Sequence, residues 1–390
     1  MNAILPTLIV LPLGIGIYAY VAYPLLLRVV AATRRASESP AADFSWPFIT
    51  ITVPCYNEER SISQTLEALL AVDYPADRRQ ILVISDASSD NTDAIVRQFS
   101  DRGVELLRLD ERRGKSAAEN AAGRVARGEI IVNTDATIRI LPTALKALVR
   151  AFADPHVGVA SGRDLSVASI DDRATVNAVS GESGYVGYEM NIRALETQVK
   201  SIVGASGCFY GIRASLYDSA FPESLSRDFA SALMAEEHGY RAVSVNDAVC
   251  LVPQTKSLQS EFRRKIRTMA RGLQTLWFKR HLMNPFTHGS FAWMLFSHKL
   301  CRWLVYPALP IAAVALVLAS VHSRAWLIVL VVSILGGVAG IAGMRWPKAR
   351  VAPRVIRIAG FALASNLAGL LAWIQVARNR RLAVWEPTRR

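Results

Sequence analysis

Cysteine is scarce in this sequence. The four present, Cys55, Cys208, Cys250 and Cys301, are scattered along 390 residues. No pair has zinc-ligand spacing, and the scatter implies no disulfide framework. As isolated thiols they read as small buried hydrophobes. Nucleic-acid signatures are missing too: there is no binding motif of that kind and no platform of stacking aromatics. The excess of 45 Lys and Arg over 32 Asp and Glu, a net charge of +13, therefore points to no nucleic-acid partner. A third absence is local. Ala3 to Leu27, Trp303 to Val321, Ala325 to Met344 and Ile358 to Ala377 contain no charged residue.

A helix needs about 20 apolar residues to cross a bilayer, so all four runs are candidate spans. The first is too long for a signal-peptide core and has no basic start. Its basic residues, Arg28, Arg34 and Arg35, follow it. It reads as a retained anchor with the N-terminus outside and the next domain in the cytoplasm. Three further spans would leave Arg378, Arg380, Arg381, Arg389 and Arg390 outside, against the positive-inside rule. Either one segment is re-entrant or interfacial, or the Trp-containing stretch His288 to Trp303 is an additional membrane element. Basic residues flanking the spans, where they meet anionic headgroups, account for the net charge. The expected organisation is an anchor and linker over 1–47, a cytoplasmic domain over 48–285, and interfacial and transmembrane helices with a basic tail over 286–390.

The central domain has ordinary soluble composition. "FITITVP" (Phe48–Pro54), "ILVIS" (Ile81–Ser85), "VELLRL" and "EIIVNT" read as strands. Between them run helix-like stretches: "NEERSISQTLEALLAV" with apolar Ile62, Leu66, Leu69 and Leu70, then "SDNTDAIVRQF" and "KSAAENAAGRVA". Strand–helix alternation predicts a parallel, doubly wound α/β sheet. Ligands of such sheets bind beyond the C-terminal ends of the strands. At those ends stand "VPCYNEE", "SDASSD" and Asp135, with "RRGKS" opening the third helix. Carboxylates, a Gly-Lys pair and a helix N-terminus should converge there, as a nucleotide pocket requires. Singly each has a plainer reading: a turn and N-cap for "SDASSDNT", a solvated side chain for Lys115, a strand-end turn for Asp135. Their order, each at a strand end, favours the pocket.

"ITVPCYNEE", "ILVISDASSDNT", "RRGKSAAENAA", "GEIIVNTDAT", "GASGCFYGIR", "RDF" and "RRKIR" occur in an order that resembles the membrane-bound family-2 inverting glycosyltransferases. That family includes the synthases of cellulose, chitin, hyaluronan and poly-N-acetylglucosamine. The resemblance covers about Phe48 to Gly272 and implies a GT-A-like nucleotide-binding domain between transmembrane helices. It places Pro54, Tyr56 and Glu58 in a uridine pocket, Asp86 at the base, and Lys115 near the nucleotide. Asp135 matches the first acid of the Asp-x-Asp motif, beside the sugar diphosphate and its Mg2+ or Mn2+. Gly204, Ser206, Gly207 and Cys208 fall in the small-residue segment under the acceptor. Asp228 matches the general base, and Arg264 and Arg267 match basic positions that meet the diphosphate.

The chemistry suits these residue types. A carboxylate takes the acceptor proton, while a divalent metal and guanidinium groups stabilise the departing diphosphate. Three positions depart from the pattern. Thr137 replaces the second acid, Thr268 replaces a tryptophan after Arg267, and Arg227 replaces an acid before Asp228. "RRKIRTMARG" also reads as a basic amphipathic helix on the membrane surface. "WEPTRR" resembles the endings of some bacterial exopolysaccharide enzymes, and Trp385 alone reads as an interfacial anchor. The resemblance implies transfer from a nucleotide-sugar, a UDP-sugar first, to a polysaccharide or lipid-linked saccharide at the bacterial inner membrane, in exopolysaccharide assembly with partner subunits for export. Transfer of one sugar to a polyprenyl phosphate, and a non-catalytic binding subunit, are the rival readings.

Overall fold

The computed structural model describes residues 4–34, 44–167, 184–253, 258–346 and 353–378. Arg35, Trp385 and the arginines from Arg380 onward, which enter the topology reading, lie outside them. The chain divides into two compact units, one taking 1–26, 257–274 and 293–380, the other 27–256, 275–292 and 381–390.

The second unit is built on one sheet. Its strands are β1 (Ile49–Cys55), β2 (Arg79–Ser85), β3 (Val104–Arg108), β4 (Ile130–Thr134), β5 (Arg139–Ile140), β6 (Val157–Val167), β7 (Phe209–Arg213) and β8 (Arg241–Pro253). They lie in the order β3-β2-β1-β4-β7-β6-β8-β5. Every residue of β1 is buried, as in a strand covered on both faces, and its two polar side chains are satisfied inside: Thr50 Oγ1 donates to Gln80 Oε1 and Thr52 Oγ1 to Asn133 Oδ1. β1 pairs in parallel with both β2 and β4, and β2 with β3. This half is the parallel arrangement that strand–helix alternation predicts.

The other half is not. β7 runs antiparallel to both β4 and β6, and β5 antiparallel to β8, while β6 and β8 are parallel. The sheet is therefore mixed, a GT-A-like form of the α/β fold. Helix Gly184–Val199 stands between β6 and β7, so helix–strand alternation continues in the sequence while the strand direction reverses. "VGVASGRDLSV" and "FYGIR" also lack an apolar run such as "ILVI" in β2.

The helix Lys115–Val125 shows how the sequence seats a site element. Its inward Ala118 and Ala122 pack with Leu82 and Ile84 of β2. Small side chains let the helix lie close to the sheet and cost little entropy to order. Gly114 precedes it at φ 96°, a left-handed conformation open to glycine. The helix ends where Ala126 turns extended.

The first unit holds most of the apolar helical residues. Ile4–Ala32, Ser290–Ser320, Arg324–Met344 and Arg354–Ala377 are each long and apolar enough to cross a membrane. From Ser290 onward the stretch His288 to Trp303 is the opening of the 31-residue helix Ser290–Ser320, not a separate element. Ile328, Val332, Ile334 and Leu335 are exposed, a contiguous apolar surface of the kind that lipid or a partner covers. Helices Arg324–Met344 and Arg354–Ala377 approach closely at Gly343 and Gly360. A Cβ on Gly343 would stand 2.2 Å from the Ile356 carbonyl oxygen, which is the small-residue packing of membrane helices.

Candidate active site

The loops after β1 and β2 are laced together. Asn57 N–H donates to Ser88 Oγ at 3.1 Å, and Ser89 N–H to Asn57 Oδ1 at 2.8 Å. Asn57 and Ala87 both adopt positive φ, 54° and 56°. For alanine this costs of order 1 kcal/mol, the sort of local strain that gathers at functional sites. Tyr56 lies under the Arg112 guanidinium, 3.9 Å from ring centroid to Cζ. Glu58 is buried, and its carboxylate accepts from Ser61 Oγ at 2.6 Å. Pro54 is the sixth residue of β1.

Asp86 is almost fully buried. Its Oδ1 accepts the Arg113 N–H at 2.8 Å and its Oδ2 the Gly114 N–H at 2.7 Å. It thereby fixes the loop that opens the Lys115 helix. That loop joins the Tyr56–Arg112 stack to Lys115, so the first three motifs form one continuous rim.

Lys115 is the junction. Its Nζ donates to Asp135 Oδ1 at 2.6 Å and to the Gly207 carbonyl at 2.9 Å. Burial opposes its charge, but Asp135, Glu119 and the hydrogen bond to Asp135 outweigh burial and hold its pKa above the ordinary lysine value. Gly207 in turn abuts Asp228: a Cβ there would stand 2.9 Å from Asp228 Oδ2. Asp228 lies in the first turn of helix Arg227–Glu237, partly exposed, with its Oδ1 accepting from Ser226 Oγ at 2.6 Å. Residues 115, 135, 207 and 228 thus meet from four separate segments.

Ser206 straps the small-residue segment. Its N–H donates to Ser161 Oγ at 2.8 Å, its hydroxyl to Asp164 Oδ1 at 2.5 Å, and the Cys208 and Phe209 N–H groups donate to it. Being buried, Ser206 places Gly207 rather than meeting solvent. Gly204 is buried and Cys208 partly so. Arg264 and Arg267 stand on helix Leu258–Phe278 within the unit of apolar helices, where Arg264 Nη2 pairs with Glu261 Oε1 at 2.7 Å.

Among the described residues no three His, Cys, Asp or Glu side chains gather as a metal site. Asp135 is nonetheless a hard oxygen donor at the turn after β4. It fits as one protein ligand of Mg2+ or Mn2+, an ion that commonly keeps several waters and takes substrate phosphate oxygens.

The motifs do not reveal Glu119, Asn120 or Ser226, and they mark Arg227 only as a departure. Glu119 carried a faint signal, as the lone acid four residues after Lys115 on an Ala-rich helix. Ion pairs at that spacing share a helix face.

Residues 50–220 match the family model described as Glycosyl transferase family 2. An N-acetylglucosaminyltransferase of Rhizobium sp. (strain N33) is 25% identical over 248 residues, covering 60% of this chain and 54% of the relative. A poly-beta-1,6-N-acetyl-D-glucosamine synthase of Staphylococcus aureus (strain COL) is 26% identical over 235 residues, covering 58% and 55%. The chain thus spans about half the length of these curated relatives. In fold it is similar to the mannosyltransferase PcManGT from Pyrobaculum calidifontis, solved in complex with GDP-Man and Mn2+. That likeness has a TM-score of 0.73 at 23% identity and covers 96% of this chain and 99% of that one.

Proposed function

We propose that this chain, whose residues 50–220 match the Glycosyl transferase family 2 model, is a membrane-embedded inverting glycosyltransferase. It moves a sugar from a UDP-sugar to a polysaccharide or lipid-linked saccharide. The observation that carries the reading is the meeting of Lys115, Asp135, Gly207 and Asp228 at one end of the sheet. N-Acetylglucosamine is the first donor sugar to try, because two relatives are named for it.

In the proposed reaction the acceptor oxygen bonds to the anomeric carbon as the bond from that carbon to the diphosphate oxygen breaks. The acceptor proton passes to Asp228, which is partly exposed and has one oxygen steadied by Ser226. One displacement inverts the anomeric centre and needs no protein nucleophile. Lys115 directs an ammonium at developing phosphate charge. Tyr56 and Arg112 offer a stacked face to the base, and Asp86 holds the loop between them and Lys115. A divalent cation with Asp135 as its protein ligand would add positive charge at the leaving diphosphate. The four apolar helices support membrane residence, and the basic residues at and after the end of the first of them support a cytoplasmic active site; a bacterial inner membrane and exopolysaccharide assembly are the setting proposed.

The test incubates purified protein with a panel of nucleotide-sugars and Mg2+ or Mn2+, recording nucleoside diphosphate release and product length. Release with one UDP-sugar, abolished in Asp228→Asn, is expected. Long product identifies a polymerase and a single lipid-bound sugar a polyprenyl-phosphate enzyme. No release with any donor refutes the enzymatic reading in favour of a non-catalytic subunit.

A further inference from the structure

Between the donor-side lysine and the base helix lies a buried carboxylate that the reaction above does not use. Glu119 sits one turn after Lys115, and its side chain is 3% exposed. Its Oε1 is 3.9 Å from Lys115 Nζ, and its Oε2 is 3.8 Å from Arg227 Nε. Arg227 is as deeply buried as Glu119. Its Nη2 donates to Asn120 Oδ1 and, at 2.8 Å, to the Asp218 carbonyl. Its guanidinium lies over the rings of Tyr217, at 4.5 Å, and Phe221, at 5.0 Å. Tyr217 returns to the same helix turn, donating its hydroxyl to the Glu119 carbonyl at 3.0 Å.

Four charges therefore alternate across the site: Asp135, Lys115, Glu119, Arg227. The next residue in the chain is Asp228. Burial pushes the Glu119 carboxyl above the usual carboxylate range and Asp228 and Asp135 add to that, while Lys115 and Arg227 pull it back down; its charge in turn acts on Tyr210 and Tyr217. A buried charge is tolerated when its partners flank it, and removing one partner leaves the others uncompensated. This arrangement also accounts for the arginine that stands before the base. Arg227 turns inward to an acid on the neighbouring helix and not toward the site.

Resting on the glycosyltransferase reading, we propose that Glu119 is a positioning residue that ties the donor cation Lys115 to the first turn of the base helix through Arg227. Its anion holds Lys115 between Asp135 and Gly207. The same anion pins Arg227, and with it the backbone that sets Asp228. Glu119 touches neither substrate.

A double-mutant cycle of Glu119→Gln and Arg227→Gln tests this, read by steady-state kinetics and by thermal unfolding. Glu119→Gln should lower kcat at least tenfold and also raise the donor KM, because it removes the carboxylate that both Lys115 and Arg227 face. Arg227→Gln should lower kcat and leave donor KM within about threefold, because it frees only the base helix. In the double variant the losses should fall well short of the product of the single ones, as for residues acting as a unit. Its unfolding temperature should recover most of what Arg227→Gln loses. Should Arg227→Gln alone not fold, the double variant is expected to fold, and its failure would count against the pairing. Glu119→Gln within twofold of the parent in both constants, or losses that multiply, overturns the proposal. A parent with no transferase activity refutes the enzymatic reading instead. The thermal cycle still decides the Glu119–Arg227 pairing in that case, and strict additivity there overturns it.

Discussion

Adding one methyl group at Gly207 tests the site geometry most directly. A Cβ built there lies 2.9 Å from Asp228 Oδ2 and 3.7 Å from its Cγ, and nothing else stands within 4 Å. Carbon and carboxylate oxygen are comfortable at about 3.4 Å or more, so Gly207→Ala asks the Asp228 oxygen to retreat by roughly half an ångström. The other oxygen is tied to Ser226 Oγ at 2.6 Å, so retreat means rotating the carboxylate or losing that bond. Displacements of this order at a reacting group cost roughly 10- to 100-fold in rate. The Gly207 carbonyl that accepts from Lys115 is unchanged by the substitution. The expected signature is therefore a kcat lowered about 10- to 100-fold, a donor KM within about threefold, and an overpacking penalty of about 1 kcal/mol or less at this partly exposed position. The assay is nucleoside diphosphate release by purified protein, with a thermal melt as control for folding. A folded Gly207→Ala protein with unchanged kcat would refute Asp228 as the base held against Gly207.

Asp135→Ala should lose far more activity than Thr137→Ala, and chelation should weaken the parent. Full activity in excess EDTA would remove the metal and leave Asp135 as the partner of Lys115 alone. Gly343→Val should lower the unfolding temperature in detergent, because its side chain would strike the Ile356 carbonyl and Gly360 Cα. Gly336→Val on the same helix, with nothing within 4 Å, is the matched control, and equal melts would refute close helix packing there. Tyr210 and Tyr217 are pushed up in pKa by burial. A phenol raised in the folded state favours folding below its unfolded value, about pH 10, and that contribution is lost as pH rises through the folded value. Their phenolate absorbance should therefore emerge well above pH 10 together with loss of circular dichroism; early, reversible ionisation with the fold intact would contradict their burial.

The sequence by itself determined the local features. Parallel strands buried on both faces are rich in Ile, Val and Leu, so β1, β2 and β4 were legible. Bilayer thickness makes four uncharged runs of about 20 residues legible in the same way. Motif order placed Lys115 and Asp135 near one rim, and only the family resemblance brought Asp228 to it. Periodicity did not show that β7 is antiparallel, because helix Gly184–Val199 precedes it much as a crossover helix precedes a parallel strand, and strand direction is set only by where the chain re-enters the sheet between β4 and β6. Only tertiary structure decided which charges meet. Asp86 spends its carboxylate on two backbone N–H groups, and Ser206 spends its hydroxyl on a strap. Lys115 finds Asp135 across 20 residues and Gly207 across 92. Arg227, which by sequence was a misfit beside Asp228, proves to be the buried partner of Glu119. Hydrogen bonds and ion pairs between distant segments depend on a few tenths of an ångström of packing, and no pattern along one chain encodes that distance.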